Sequence, residues 1–177
     1  DCLLSRGLGD VYKRQVKVFW DNNPDNYRIY MVSYMVIPKL DDVNGMTRLQ
    51  VSNVVASDNP QPENMDINVI DGDFNTRWSA EGDGQWIMLE LEKVQNIDWV
   101  AVAVMNGTTR TSSFDIQVSE DGENWTTVKK VTTSGMTDEY EYYETTGAVG
   151  KYIRLYGYGN SQNKWNSITE FAALGKK

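Results

Sequence analysis

Apolar and polar positions alternate with a period of two over much of the chain, the pattern of strands with one buried and one wet face. Phe114, Ile116 and Val118 alternate with Asp115, Gln117 and Ser119, and Asp121-Gly122 supplies the turn that follows. The same pattern predicts short strands over 49–56, 85–91, 99–105, 114–119, 125–131, 139–145, 151–157 and 168–174, with one helical turn near 63–70. Strands this short, evenly spaced and separated by turn formers, predict an all-β antiparallel sandwich. Upstream, Val16, Val18 and Trp20 alternate, residues 21–26 read as a turn and 27–37 as a second β-rich run. That makes one hairpin. Polar turn formers over 38–45 then break the pattern as a linker does, so 16–45 is expected to be the tail of an upstream module or a linker and 46–177 the main domain. Residues 1–15 resemble a translated sequencing adapter; the other reading is a true N-terminal arm.

Composition narrows the function. The 177 residues carry 17 basic against 25 acidic side chains, a net charge of −8, with no run of Lys or Arg. Nucleic acid is therefore not an expected partner. No apolar run reaches the roughly 20 residues that span a bilayer, and the start lacks the basic and apolar regions of a signal peptide, so the native start is expected upstream. Cys2 is the only cysteine, which rules out an internal disulfide. The chain has no histidine, which removes Ser-His and Cys-His nucleophile systems and the commonest zinc ligand.

Four ordered motifs carry a resemblance. Residues 70–78 (Ile-Asp-Gly-Asp-Phe-Asn-Thr-Arg-Trp), 84–91 (Gly-Gln-Trp-Ile-Met-Leu-Glu-Leu), 114–125 and 151–155 (Lys-Tyr-Ile-Arg-Leu) resemble the discoidin, or coagulation-factor type C, superfamily over roughly 47–175. Segments 106–114 and 157–170 resemble family 32 carbohydrate-binding modules of bacterial alginate lyases and related polysaccharide lyases. The resemblance implies a galactose-binding-like jelly roll with a structural calcium and a ligand site in the loops at one end.

Asp71, Asp73, Asn75 and Thr76 place hard oxygen donors in one loop, as calcium requires. The spacing begins like an EF-hand and then departs from it, with Thr76 where that loop needs Gly and Gly82 where it needs Glu. The resemblance implies a different cage: side chains of Asp71 and Thr76, backbone carbonyls near Asn68, Asp73 and Thr76, and Glu170 from the last strand. The alternative is that these residues simply form and cap turns.

A sugar site needs an aromatic platform beside amides, guanidinium or carboxylate groups. Trp165 with Tyr158, Asn160, Asn163 and Asn166 forms one candidate set; Arg110 with Asn106 forms another, faced by Glu81 and Asp83. Arg77 and Arg110 are placed to fork onto a uronate carboxylate. Trp78, Trp86 and Trp125 adjoin strands and are expected in the core. The expected protein is thus a monomeric, non-catalytic module that holds an attached glycan-degrading enzyme, a polysaccharide lyase or glycoside hydrolase, on its polysaccharide. Its expected setting is outside a bacterial cell or on its surface. Two alternatives remain open: an adhesion module for protein or lipid, and a hydrolase or polysaccharide lyase fragment acting through carboxylates such as Glu81, Asp83 or Glu170.

Overall fold

The computed structural model describes residues 11–19, 27–36 and 45–176, with side-chain environments from Gly45 onward except at residue 146. The chain divides into two units, Asp1–Lys39 and Leu40–Lys177. In the first unit β1 (Val11–Phe19) pairs antiparallel with β2 (Tyr27–Val36), with a bulge between Tyr12 and Arg14. The expected hairpin is present, and its first strand begins at Val11 where the alternation suggested Val16. Residues 1–10 of the adapter-like segment, the turn at 21–26 and most of the linker over 38–44 lie outside the described residues.

The second unit runs β3 (Met46–Arg48), β4 (Val51–Ala56), a 3₁₀ turn (Asp66–Ile70), β5 (Trp78–Glu81), β6 (Trp86–Val104), β7 (Ser112–Ser119), β8 (Thr126–Thr132), β9 (Glu141–Asn160) and β10 (Trp165–Lys176). β6 and β9 are long enough to serve both layers of a sandwich. The first half of β6 pairs with β4 on one side and with the end of β9 on the other, and β7 and β8 continue that layer. The second half of β6 pairs with the start of β9 and with β10, on which β3 and β5 dock. Ile87, Leu89, Ile116, Val118, Ile153 and Leu155 of the first layer and Val100, Val102, Ile168 and Phe171 of the second share one buried core. The fold is the antiparallel β-sandwich that the alternation predicts.

Two pairs of expected strands are each one strand, 85–91 with 99–105 as β6 and 139–145 with 151–157 as β9. The polar residues between them look like turns, yet Gln95, Asn96 and Ile97 pair with Gly150, Val149 and Ala148 across the sheet. Non-local hydrogen bonds thus override a local turn signal. β3 and β5 are three and four residues long and exist only as partners of β10. The expectation that three tryptophans are core holds for one. Trp78 is 1% exposed and donates its indole N–H to the Asp58 carbonyl at 2.8 Å, whereas Trp86 and Trp125 are only half-buried beside the Arg154 guanidinium.

Because Trp78 fills the core next to the loop 71–77, Trp78→Ala is expected to lower unfolding free energy by about 3 to 5 kcal/mol. Urea titration followed by circular dichroism will read this as a lower midpoint at unchanged slope.

Candidate functional site

β10 is buried from Asn166 to Gly175, so its polar residues must find partners inside the protein. Asn166 donates to the carbonyls of Ala80 (3.3 Å) and Gly82 (2.8 Å) and accepts from the Gly159 N–H (2.8 Å). Ser79 donates to Ser167 at 3.0 Å. These bonds lock β5, β10 and the β9–β10 hairpin into one rigid corner.

That corner forms one wall of an open cleft of about 240 Å³. Alternation along the paired strands turns Ser79 from β5 and Trp165 and Ser167 from β10 into it, and Arg77 enters from the residue before β5. The opposite wall is the turn after β6, which brings Met105, Asn106 and Arg110. Asn106 takes the left-handed conformation at φ 57°, and its carbonyl accepts the amides of Thr109 and Arg110, so the turn closes on itself. Asn163 and Gln61 complete the lining. Asn163 sits in a hairpin held by amide side chains: Asn160 donates to Asn163 Oδ1 and to the Trp165 carbonyl, both at 2.7 Å. Gly159 is required there. Its φ is +84°, and a Cβ would stand 2.8 Å from the Asn163 carbonyl oxygen.

The cleft is cationic in a chain of net charge −8. Arg77 and Arg110 line it without any Asp or Glu. Each guanidinium uses its Nε locally, Arg77 on Ser79 Oγ and Arg110 on the Met105 carbonyl, both at 3.0 Å. Neither is in an ion pair among the described residues, where the salt bridges are Lys151–Glu90 and Lys164–Asp83. Burial, and then the like charge of Arg77, lower the Arg110 pKa from its ordinary value. The unmet positive charge faces the cleft.

Five of the eight expected sugar-site residues therefore meet: Arg77, Asn106, Arg110, Asn163 and Trp165. Three do not line the cleft. Glu81 is exposed opposite Trp165 in the β5–β10 register, Asn160 spends its amide shaping the hairpin, and Tyr158 packs on Tyr156 while donating to Asp115 Oδ2 at 3.1 Å. The chain pattern did not single out Gln61, Ser79, Met105 or Ser167. Ser79 and Ser167 were findable, being two positions from Arg77 and Trp165 on the same strand faces; Gln61 arrives from a distant loop and had no local signal.

The expected metal ligands form a second constellation. Asp71 accepts the Asp73 N–H at 2.8 Å and the Thr76 hydroxyl at 2.7 Å, and the Thr76 hydroxyl is also 3.0 Å from the Asp73 carbonyl. Asp73 turns instead to Asn75, whose backbone N–H it accepts at 2.9 Å. Asn68 donates its amide to the carbonyls of Glu63 and Arg77, both at 3.0 Å. Glu170, 0% exposed, accepts the Gly72 N–H at 2.6 Å and the Tyr140 hydroxyl at 2.8 Å. Tyr140 in turn accepts from Arg48 Nη2 at 2.7 Å. Among the described residues no three Asp, Glu, His or Cys side chains converge, so a metal here would lean on hydroxyl and backbone oxygens as well as carboxylates.

Burial raises the Glu170 pKa from 4.5 to about 7, against the pull of Tyr140, Arg48 and Gly72, and Asp71 adds to the rise. A raised folded-state value favours the protonated carboxyl. Without metal, its contribution is complete below the unfolded value of 4.5 and is lost as pH rises through about 7. In chelator the unfolding free energy is therefore expected to fall by on the order of 3 kcal/mol between pH 5 and 8, and the melting temperature with it. Glu170→Gln is expected to flatten that fall, which scanning fluorimetry across pH will measure.

The F5/8 type C domain family matches residues 53–171. The structure of the CBM32 of AlyQ in complex with 4,5-unsaturated mannuronic acid is 40% identical, covers 72% of this chain and 97% of its own, and superposes with a TM-score of 0.69. A truncated AlyQ with CBM32 and alginate lyase domains is also 40% identical, at TM-score 0.71, over 73% of this chain and 33% of its own. A pectin-binding carbohydrate-binding module is 34% identical over 71% of this chain and 91% of its own, with a TM-score of 0.65. The polysaccharide lyase 8 family protein HylA of Enterococcus faecalis is 28% identical over 123 residues, 66% of this chain; the chain spans 9% of that protein's length.

Proposed function

The chain belongs to the F5/8 type C domain family, and from that premise we propose that it is a carbohydrate-binding module whose cleft holds an acidic sugar for an attached polysaccharide-degrading enzyme. The observation that carries this reading is the pair of guanidinium groups, Arg77 and Arg110, beside the half-buried Trp165 in a cleft without a carboxylate. A pyranose ring presents an apolar C–H face to the Trp165 indole. Its carboxylate receives the forked N–H groups of the two arginines, whose Nη atoms are in no ion pair among the described residues. Asn106, Asn163 and Gln61 add amide donors and acceptors for ring hydroxyls. Two relatives support the choice of sugar, one in complex with an unsaturated mannuronic acid and one that binds pectin.

The side chains of the cleft supply binding rather than acid–base chemistry, since no Asp, Glu, His or Cys lines it. Such binding need not be tight. Linkage to a catalytic domain makes each rebinding intramolecular, so modest affinity keeps an enzyme on its polymer in the extracellular medium. AlyQ joins its CBM32 to an alginate lyase domain, which supports that arrangement.

Affinity electrophoresis through alginate, polygalacturonate and xylan is expected to retard the protein in the first two gels. Arg77→Ala and Arg110→Ala are each expected to weaken binding by about ten- to a hundredfold, as loss of a charge-assisted bond of ~1.5 to 3 kcal/mol implies. Trp165→Ala is expected to abolish retardation. Retardation by xylan alone, or undiminished retardation of both arginine variants, would sink the acidic-sugar reading.

The second constellation fits a structural calcium. Asp71, Thr76 and Glu170, with backbone carbonyls of the loop, are hard oxygen donors, and a buried carboxyl close to a second one is the arrangement a divalent cation relieves. Bound there, the ion supplies positive charge that ties the loop 71–76 to the last strand. Calcium at a hundredfold excess over its dissociation constant is expected to stabilise by about 2.7 kcal/mol. Calorimetry will show this as a rise in melting temperature that chelator reverses and Glu170→Gln removes.

A further inference from the structure

The outer face of the first layer carries a second aromatic set, none of which lines the cleft. Tyr152, Arg154, Tyr156 and Tyr158 alternate outward along β9, while Ile153 and Leu155 point into the core. Trp86 lies opposite Tyr156 in the β6–β9 register, and Trp125 stands just before β8. The Arg154 guanidinium lies 3.9 Å from the Trp125 ring centroid, 5.5 Å from Tyr156 and 5.8 Å from Trp86. Tyr158, 43% exposed, stands edge-on to Tyr156 at 5.7 Å. The remaining rings are half-buried, so their faces or edges reach solvent.

The polar atoms of this face are unevenly used. Arg154 spends its Nε on Gln117 Oε1 at 2.7 Å, which holds the guanidinium over the Trp125 ring. Its Nη groups, the Trp86 indole N–H and the Tyr156 hydroxyl have no hydrogen-bond partner among the described residues. These are donors. The carboxylates of the same face are already engaged, Asp115 by the Tyr158 hydroxyl at 3.1 Å and Glu90 by Lys151 at 2.7 Å. What remains on offer is a row of π-faces, a set of unspent donors and the Arg154 guanidinium, which pairs with no carboxylate among the described residues. An occupant that matches must bring apolar ring faces, hydrogen-bond acceptors and negative charge.

We propose that this face is a second glycan-binding surface, which takes an acidic polysaccharide lying across β6 and β9 with sugar rings on Trp86 and Tyr156 and a carboxylate on Arg154. The surface continues toward the cleft along the chain: β9 ends at Asn160 and turns through the hairpin that supplies Asn163 and Trp165. A polymer that occupies both sites gains avidity without either site being tight. The charge of the polymer follows from the donors of this face itself and does not depend on the cleft.

The test uses the full chain labelled with ¹⁵N at its tryptophans, titrated with disaccharides of alginate, polygalacturonate and neutral xylan, chosen short so that one molecule occupies one site at a time. Single Trp→Phe variants assign the indole signals of Trp86, Trp125 and Trp165. With the acidic oligomers the Trp86 and Trp125 signals are expected to move saturably in the wild type and equally in the cleft variant Arg77→Ala/Arg110→Ala. Tyr156→Phe, which removes one hydroxyl and leaves the ring, is expected to weaken that isotherm about fivefold while the Trp165 isotherm stays as it was. If Trp165 responds and Trp86 stays still, the second surface is wrong and the cleft stands. If Trp86 responds in the double variant while Trp165 is silent in the wild type, the cleft reading fails alone. Movement of equal size with xylan overturns the acidic assignment. Movement on changing protein concentration without sugar makes the face a contact between copies of the chain and overturns the proposal.

Discussion

A carboxyl group with no solvent exposure, Glu170, sits within the most buried strand of the sandwich, and the end of the fold is organised around it. Leaving such a group unmet would cost several kcal/mol. The protein answers with three elements distant in sequence: Gly72 from the loop before β5, Tyr140 before β9, and Arg48 of β3 through Tyr140. Each contact pins a segment that has little apolar surface of its own. The short strand β3, whose side chains contribute a single buried Met46, is held by this network and by pairing to β10, and the loop 71–76 by the Gly72–Glu170 bond and the edge contact of Phe74 with Tyr140 at 5.2 Å.

The same strand positions the cleft. Residues of β10 alternate between the core and the outer side, so Ile168 packs inward while Ser167 and Trp165 face the cleft. Asn166, buried between them, bonds the backbones of Ala80, Gly82 and Gly159. The cleft therefore rests on a hydrogen-bonded corner whose side chains have lost most of their freedom before any ligand arrives. For the binding proposed at this cleft such pre-organisation would favour affinity, because ordering a site at the moment of binding subtracts directly from it.

Charge shows how far a local arrangement departs from a global sum. A net charge of −8 argues against polyanion binding if spread evenly. The fold sets two arginines 33 positions apart in sequence, Arg77 and Arg110, into one cleft and keeps acidic residues out of its lining. The nearby acids are placed elsewhere: Asp83 pairs with Lys164, and Asp71 turns into its own loop.

Local pattern was enough to determine the class of fold, because an alternation of period two survives any arrangement of the strands. It also pointed to Arg77, Asn106, Arg110, Asn163 and Trp165, which the fold brings to the lining of one cleft, since loops rich in such residues between strands of a sandwich face outward at its ends. It could not join 85–91 to 99–105 or 139–145 to 151–157, because the residues between them become strand only by pairing with each other. Nor could it separate Trp78, which fills the core, from Trp86 and Trp125, which lie around Arg154, since all three adjoin strands and differ only in which face the final register gives them. Tyr158 and Asn160 were drawn to the cleft by nearness to Trp165 in sequence, yet one belongs to the outer sheet face and the other to the hairpin's own backbone. Residue type and spacing are properties of the chain; the direction of a side chain and the company it keeps depend on non-local hydrogen bonds, and only the tertiary structure decides those.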